Sequence, residues 1–301
     1  METCCILYNP KAGNGRGLNE ARRLDSIWSG KSLDYIDVTT IADIRAYLDS
    51  LPADTTVVLA GGDGTLNHFI NDMGGEAPAR DIYYFAAGSG NDFLRDAERT
   101  RDDPPFLLNP YLQNLPTVTV NGMTRYFLNG IGYGIDGYCC EVGDKQRLKS
   151  DKPVNYTAIA IKGLLFGYHR TLADVCVDGD TKAYRAVWLA PTMKGRFYGG
   201  GMMCAPGQNR LDPEGSVSTM VMTGKSKIKT LIVFPSIFKG GHIRHREMVT
   251  IRPGHEVTVR FNRPTALQID GETVLGVTEY SVSTRRSVGA AEKSEAAVVA
   301  E

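Results

Sequence analysis

Three times in the first 93 residues, an apolar run of strand length ends in a turn dense in glycine and asparagine. "CCILY" (4–8) enters "NPKAGNGRG" (9–17), "TTVVLA" (55–60) enters "GGDGT" (61–65), and "DIYYFAAG" (81–88) enters "GSGNDF" (88–93). After the first turn Leu18, Ala21, Leu24 and Trp28 share one helical face. After the second, Leu66, Phe69, Ile70 and Met73 do the same. "LDYIDVT" (33–39) and "IADIRAYL" repeat the alternation. Continuous apolar strands alternating with helices predict a parallel sheet covered on both faces. The turns at its carboxyl edge then lie side by side, where helix N-termini offer backbone N–H groups to an anion.

From about residue 115 the texture changes. "TVTVNGMTRYFLNGIGYG" reads as a hairpin about Asn-Gly. "VNYTAIAIKGLLFGYHR" (154–170) is the one clear helix of this half, and short strands separated by turns follow, as in an antiparallel sandwich. The expected class is α/β: a parallel-sheet domain over 1–115, a mostly antiparallel β-sandwich domain over 116–284, and the site in the cleft between them. A tail over 285–301 is small and charged, with packing back on the first domain as one option.

Composition removes several functions. Lys+Arg and Asp+Glu are both 34, so no basic field favours nucleic acid. No run reaches the roughly 20 uncharged apolar residues of a transmembrane helix. The six cysteines include two adjacent pairs and no CxxC, which fits neither a disulfide framework nor zinc, and points to a cytoplasmic location. "HIRH" (242–245) lacks a third ligand and reads as surface, and no GxSxG occurs.

The turns carry the chemistry. Gly61, Gly62 and Gly64 let a phosphate approach the backbone, and Thr65 and Asn67 offer hydrogen bonds at the helix start. Asp63 would repel a bare phosphate, which suggests a bridging Mg²⁺ or a proton-handling role; a tight turn with an Asp cap is the competing reading. "NPKAGNGRG" is not a P-loop. In "QIDGETV", Asp270 and Glu272 form either an ordinary Asp-Gly hairpin turn or a carboxylate pair for base catalysis or metal ligation. Asp212 and Glu214, closed by Gly215, form either a Mg²⁺ or Ca²⁺ corner or a solvated acidic turn.

"NPKAG", "GGDGTLN", "GSGNDF", "GGGMMCAP" and "DGE" occur in that order. Over about residues 3 to 284 the chain resembles the diacylglycerol kinase catalytic family, in particular the bacterial soluble diacylglycerol and lipid kinases, and is similar to sphingosine and ceramide kinases. GGDGT is shared with NAD kinases, but "GSGND" and "DGE" favour the lipid side. The resemblance implies an α/β nucleotide-binding domain, a β-sandwich domain, ATP, Mg²⁺, and transfer of the γ-phosphoryl group to a lipid hydroxyl such as that of diacylglycerol. By motif, Gly61, Gly62, Asp63, Gly64, Thr65, Leu66 and Asn67 would hold nucleotide together with Asn9, Thr39, Ser89, Asn91 and Asp92. Glu272 would be the proton acceptor, with Asp270 as the competing assignment and Asp63 beside the phosphates. The acidic loop, about two residues longer than the family's, would hold a structural ion through Leu211, Asp212, Glu214 and Ser216.

Two other functions compete: a kinase of a soluble hydroxyl such as NAD's ribose, and a nucleotide- or lipid-sensing protein without turnover. A lipid substrate implies peripheral contact with a membrane. The segments "NYTAIAIKGLLFGYHR" and "IKTLIVFPSIFKGGHIRHR" mix apolar and basic residues suited to it, with core elements bearing solvated basic ends as the alternative. A homodimer stays open.

Overall fold

The computed structural model describes residues 3–88, 90–149 and 154–284. Ser89 and the 285–301 tail, both named above, lie outside the described residues. Strands β1 (Thr3–Tyr8), β2 (Ser32–Asp37), β3 (Thr56–Gly61) and β4 (Ile82–Ala86) are parallel, in the order β2-β1-β3-β4. The short β5 (Phe106–Leu107) adds antiparallel to β4. The continuous apolar runs are explained by two buried faces. Leu7, Leu59 and Tyr84 pack with Leu66, Phe69 and Ile70 on one side, and Ile6, Val58 and Phe85 pack with Leu24 on the other. The expected first helix breaks into Gly17–Ala21 and Leu24–Ile27. The second strand stops at Asp37, so Thr39 falls in a tight turn, Val38–Thr40, capped by the Asp37 carboxylate.

The second domain opens with the hairpin β6 (Thr117–Val120) and β7 (Met123–Tyr126), then β8 (Gly130–Tyr133), β9 (Thr171–Val177), β10 (Asp180–Leu189) and β11 (Thr192–Met193). A small hairpin, β12 (Phe197–Tyr198) and β13 (Met202–Met203), precedes β14 (Val217–Thr223) and β15 (Val249–Gly254). Two long strands, β16 (Glu256–Ile269) and β17 (Glu272–Ser283), end the domain. The pairing runs β7-β6-β17-β16-β8-β11-β14-β10-β9. β16 makes the sandwich. Its first half pairs with β9 (Val259↔Val175), register shifts follow Arg260, and its second half pairs with β8 (Leu267↔Tyr133). One strand thus crosses between layers. Val175, Val259 and Ile131 are fully buried between them, and the Tyr133 and Phe261 rings stack there at 3.8 Å.

The helix content of this half exceeds the sequence expectation. Ile135–Arg147 is a helix of 13 residues, and Lys227–Val233 is another. Segment 154–170 holds a helix, Tyr156–Lys162, ending in a π turn, Gly163–Gly167. Ile135–Arg147 is hidden in sequence because Gly137 and Gly143 depress its helix propensity. Packing requires both: a Cβ on Gly137 would stand 2.0 Å from the Ala266 carbonyl oxygen, and one on Gly143 2.7 Å from the Tyr156 ring. Nor is "HIRH" all surface. His242 is fully buried, with Nε2 3.0 Å from the Cys204 carbonyl oxygen. Among the described residues no helix is long and apolar enough to cross a membrane.

Candidate active site

The three glycine-rich turns meet at the carboxyl edge of the parallel sheet, as strand polarity requires. Asn9 donates from Nδ2 to Thr65 Oγ1 at 3.2 Å, tying the first turn to the second. The second and third touch backbone to backbone. A Cβ on Gly88 would stand 2.3 Å from the Gly62 Cα, and one on Gly61 2.4 Å from the Thr65 side chain. Glycine at 61, 62 and 88 is therefore a packing requirement. From Gly62 the chain enters the helix Asp63–Asp72, whose first-turn amides, at Asp63, Gly64 and Thr65, are those a helix leaves without intrahelical partners. Leu66 differs from the expectation of a nucleotide contact: its side chain is fully buried and its N–H bonds the Gly62 carbonyl.

Asp63 does not cap its own helix, as the competing reading of the turn had it; that helix has Gly62 as its N-cap, and Asp63 caps a neighbouring one. Its two oxygens accept from the Asp92 and Phe93 amides at 2.9 and 3.1 Å, at the start of the helix Asp92–Asp96. Burial, and then the charge of Asp92, push its carboxyl up to about 7. Asp92 itself accepts from the Gly200 amide at 2.8 Å, in the triple-glycine segment of the second domain. Asp92 Oδ1 and Asn91 Oδ1 are buried without a protein partner.

From the other domain comes the β16–β17 turn. Asp270 (φ 47°) and Gly271 (φ 95°) both sit in the left-handed region, as a tight hairpin turn demands. The Asp270 carboxylate accepts four hydrogen bonds. Leu128 N and Asn67 Nδ2 reach Oδ2 at 2.6 and 2.7 Å; Asn129 N and Gly130 N reach Oδ1 at 2.8 and 2.9 Å. Both oxygens are engaged by donors of the fold, which counts against the competing assignment of Asp270 as the base. It is the clasp that fixes the hairpin against the Asp63–Asp72 helix.

Glu272 is different: its side chain is 43% exposed. Arg125, on β7, forks between the domains, donating from Nη1 to Glu272 Oε2 at 2.5 Å and from Nη2 to Asn67 Oδ1. His68 Nε2 stands 3.7 Å from Glu272 Oε1. Asn67 is thus the shared partner of both members of "DGE", through Asp270 and through Arg125. Neither Arg125 nor His68 was singled out in the sequence. The nearest signal was position, since His68 follows GGDGTLN and Arg125 lies in the Asn-Gly hairpin.

Behind the clasp lies a buried ion pair that joins the domains. Arg210 donates from Nε to Asp96 Oδ2 at 2.6 Å, and also to Leu128 O and Asn129 Oδ1 at 2.7 and 2.6 Å. Arg196 Nε reaches Asp96 Oδ1 at 2.8 Å. Arg210 therefore holds the very segment whose amides grip Asp270.

The remaining candidates do not join this centre. The Thr39 hydroxyl is bonded to Asp37 at 2.7 Å. The acidic loop closes on itself: Asp212 Oδ1 accepts from Glu214 N at 3.1 Å, and Oδ2 accepts from both the amide and the hydroxyl of Ser216. The Ser216 carbonyl takes Gln208 Nε2 at 2.8 Å, while Leu211 and Glu214 are exposed. Among the described residues no three His, Cys, Asp or Glu side chains gather as a metal site. In this structure the loop is held by its own hydrogen bonds, which engage both Asp212 oxygens and the Ser216 carbonyl.

Known proteins agree with this architecture. Residues 3–120 match the diacylglycerol kinase catalytic domain, and residues 129–285 match the YegS C-terminal NAD kinase beta sandwich-like domain. A diacylglycerol kinase of Mycobacterium tuberculosis H37Rv is 24% identical over 257 residues, covering 82% of this chain and 81% of that protein. The same figures hold for the enzyme of strain CDC 1551 / Oshkosh. Among solved structures, a diacylglycerol kinase from Bacillus anthracis str. Sterne superposes with a TM-score of 0.62 at 16% identity, covering 94% of this chain and 93% of that one. With both domains matched in order and the glycine turns facing the "DGE" hairpin, the chain belongs to the diacylglycerol kinase catalytic family, a family of kinases.

Proposed function

We propose that this protein transfers the γ-phosphoryl group of ATP to a lipid hydroxyl, with diacylglycerol or a related glycerolipid as acceptor. One observation carries the reading: Glu272 of the "DGE" hairpin, its side chain 43% exposed, is linked through Arg125 to Asn67, two residues past GGDGT. Phosphoryl transfer asks for positioned phosphates, charge neutralisation and a base for the attacking hydroxyl. The open amides of Asp63, Gly64 and Thr65 supply the first. Arg125 brings a permanent positive charge to the edge of the site. Glu272 takes the hydroxyl proton, a role that contributes roughly 10²- to 10⁴-fold. Arg125 aims that carboxylate, and Asp270 fixes the turn that carries it.

Magnesium suits the oxygen donors here. Asn91 Oδ1 and Asp92 Oδ1 are buried hard oxygens with no protein partner, and they would hold an ion that arrives with ATP and offsets phosphate charge. Asp63, committed to two amides, is left as a positioning group for the helix that bears them.

The test is label transfer from γ-radiolabelled ATP to a lipid panel in mixed micelles, with NAD as the soluble control. Label in a phosphorylated glycerolipid supports the reading. Label in NAD phosphate, or turnover that needs no lipid, rejects it.

A further inference from the structure

Segments 154–170 and 225–246 stand outside the site described above. The first holds two Lys and Arg residues and the second six, and neither holds an Asp or Glu, in a chain with 34 charges of each sign. All of these cations are exposed. The fold joins the two segments. The helix Lys227–Val233 packs on the π turn Gly163–Gly167, and Lys227 Nζ donates to the Leu165 carbonyl at 2.6 Å. Arg170 Nη1 reaches the Gly224 carbonyl at 3.0 Å.

The joined surface is apolar as well as basic. Phe166, Ile228 and Ile232 are 79%, 71% and 72% exposed, and Ile161 and Phe238, in the elements that adjoin these along the chain, are 44% and 45% exposed. The same elements already bury Leu164, Val233, Phe234 and Ile237 inward. Their exposed apolar side chains are therefore a second face, beyond what the core requires.

From this juxtaposition we infer that the surface made by 154–170 and 225–246 docks the protein on an anionic lipid bilayer, with Phe166, Ile228 and Ile232 inserted among headgroups and the cations over anionic lipid. Charge selects that occupant. A second copy packed on the same face would set eight cations, offset by Glu247 at 2.8 Å from Lys229, against the same eight, so that two net positive surfaces would meet. A groove of about 260 Å³ opens at the edge of this surface. It is lined by Gly167, Tyr168 and His169, and by Leu275 and Gly276 on β17, the strand that begins with Glu272. The inference extends the lipid-kinase reading to its membrane but does not rest on its chemistry, because docking needs neither ATP nor turnover.

Flotation of the full chain, without nucleotide, tests it on vesicles of phosphatidylcholine alone and of phosphatidylcholine mixed with phosphatidylglycerol. The wild type is expected to float with the anionic vesicles only, and less as salt rises. Each cation near an anionic surface strengthens binding by roughly fivefold, so K239Q/R244Q should weaken it by roughly 25-fold. F166S/I232S should weaken it at least about tenfold while leaving the melting temperature unchanged. Binding that ignores lipid charge or survives both double variants overturns the inference. So does a wild-type dimer that F166S/I232S dissolves, which would make a second copy the occupant. Failure here with intact transfer to micellar lipid would reject the surface and leave the catalytic reading standing.

Discussion

Replacing Asp270 by Asn separates the clasp from the base. The side chain keeps its size and tolerates φ of 47°, so the turn is not at issue. What changes is one oxygen, which becomes an NH₂ group. Each Asp270 oxygen accepts from two donors, so in either orientation two N–H groups lose their acceptor. Hydrogen bonds to a charged acceptor contribute about 1.5–3 kcal/mol each, so two would cost about 3–6 kcal/mol. Asp270 is half-buried, water recovers part of this, and the lower end applies. About 3 kcal/mol in a domain of this size lowers the melting temperature by roughly 6–12 °C. Circular dichroism melts should show that drop for Asp270→Asn and almost none for Glu272→Gln. Turnover well below the melt should fall steeply for Glu272→Gln and less for Asp270→Asn. An Asp270→Asn protein that melts like wild type yet has lost as much turnover as Glu272→Gln would refute the clasp and return Asp270 to the chemistry.

Arg125→Ala should lower kcat about tenfold or more with little change in the ATP KM, and Arg125→Lys should recover only part, because one ammonium cannot fork to Glu272 and Asn67; equal turnover in all three proteins would remove Arg125 from the site. Gly88→Ala places a methyl group 2.3 Å from the Gly62 Cα and should abolish ATP binding in a thermal-shift assay, whereas retained binding would mean the two turns need not touch. Lys194 is buried with Nζ unpartnered, and burial, then the charge of Arg210, lower its ammonium from 10.5 to about 8. Because the folded protein binds fewer protons than the unfolded chain between those values, stability should rise as pH climbs through that window, and the cost is full below about 8. Lys194→Met should therefore stabilise the protein by about 1–3 kcal/mol near neutral pH, with the gain fading above pH 8 in denaturant titrations; destabilisation would mean that the ammonium has a role.

Much of the fold was legible because its signals are local. Apolar runs ending in glycine marked β1, β3 and β4, and strand polarity alone placed their turns on one edge. What escaped was set by tertiary contacts. Gly137 and Gly143 lower helix propensity in a helix that exists because other elements press against those two positions. Arg125 looked like any strand cation; only the fold brings it within reach of Asn67 and Glu272, 58 and 147 residues away. Asp63 and Asp270 were seen as the reactive type of residue in the right turns, but whether a carboxylate faces amides or substrate is fixed by its neighbours. The acidic loop followed the same logic: Asp212 and Glu214 had ligand-like spacing, but the Ser216 amide and hydroxyl both bond Asp212 Oδ2.

The most direct test of the central claim is transfer from γ-radiolabelled ATP to diacylglycerol in mixed micelles, run side by side for wild type and Glu272→Gln, with ATP binding measured on both. The account predicts label in a phosphorylated lipid for the wild type, loss of roughly 10²- to 10⁴-fold for Glu272→Gln, and equal ATP binding. Label on NAD in place of lipid, or near-normal lipid transfer by Glu272→Gln, would contradict it.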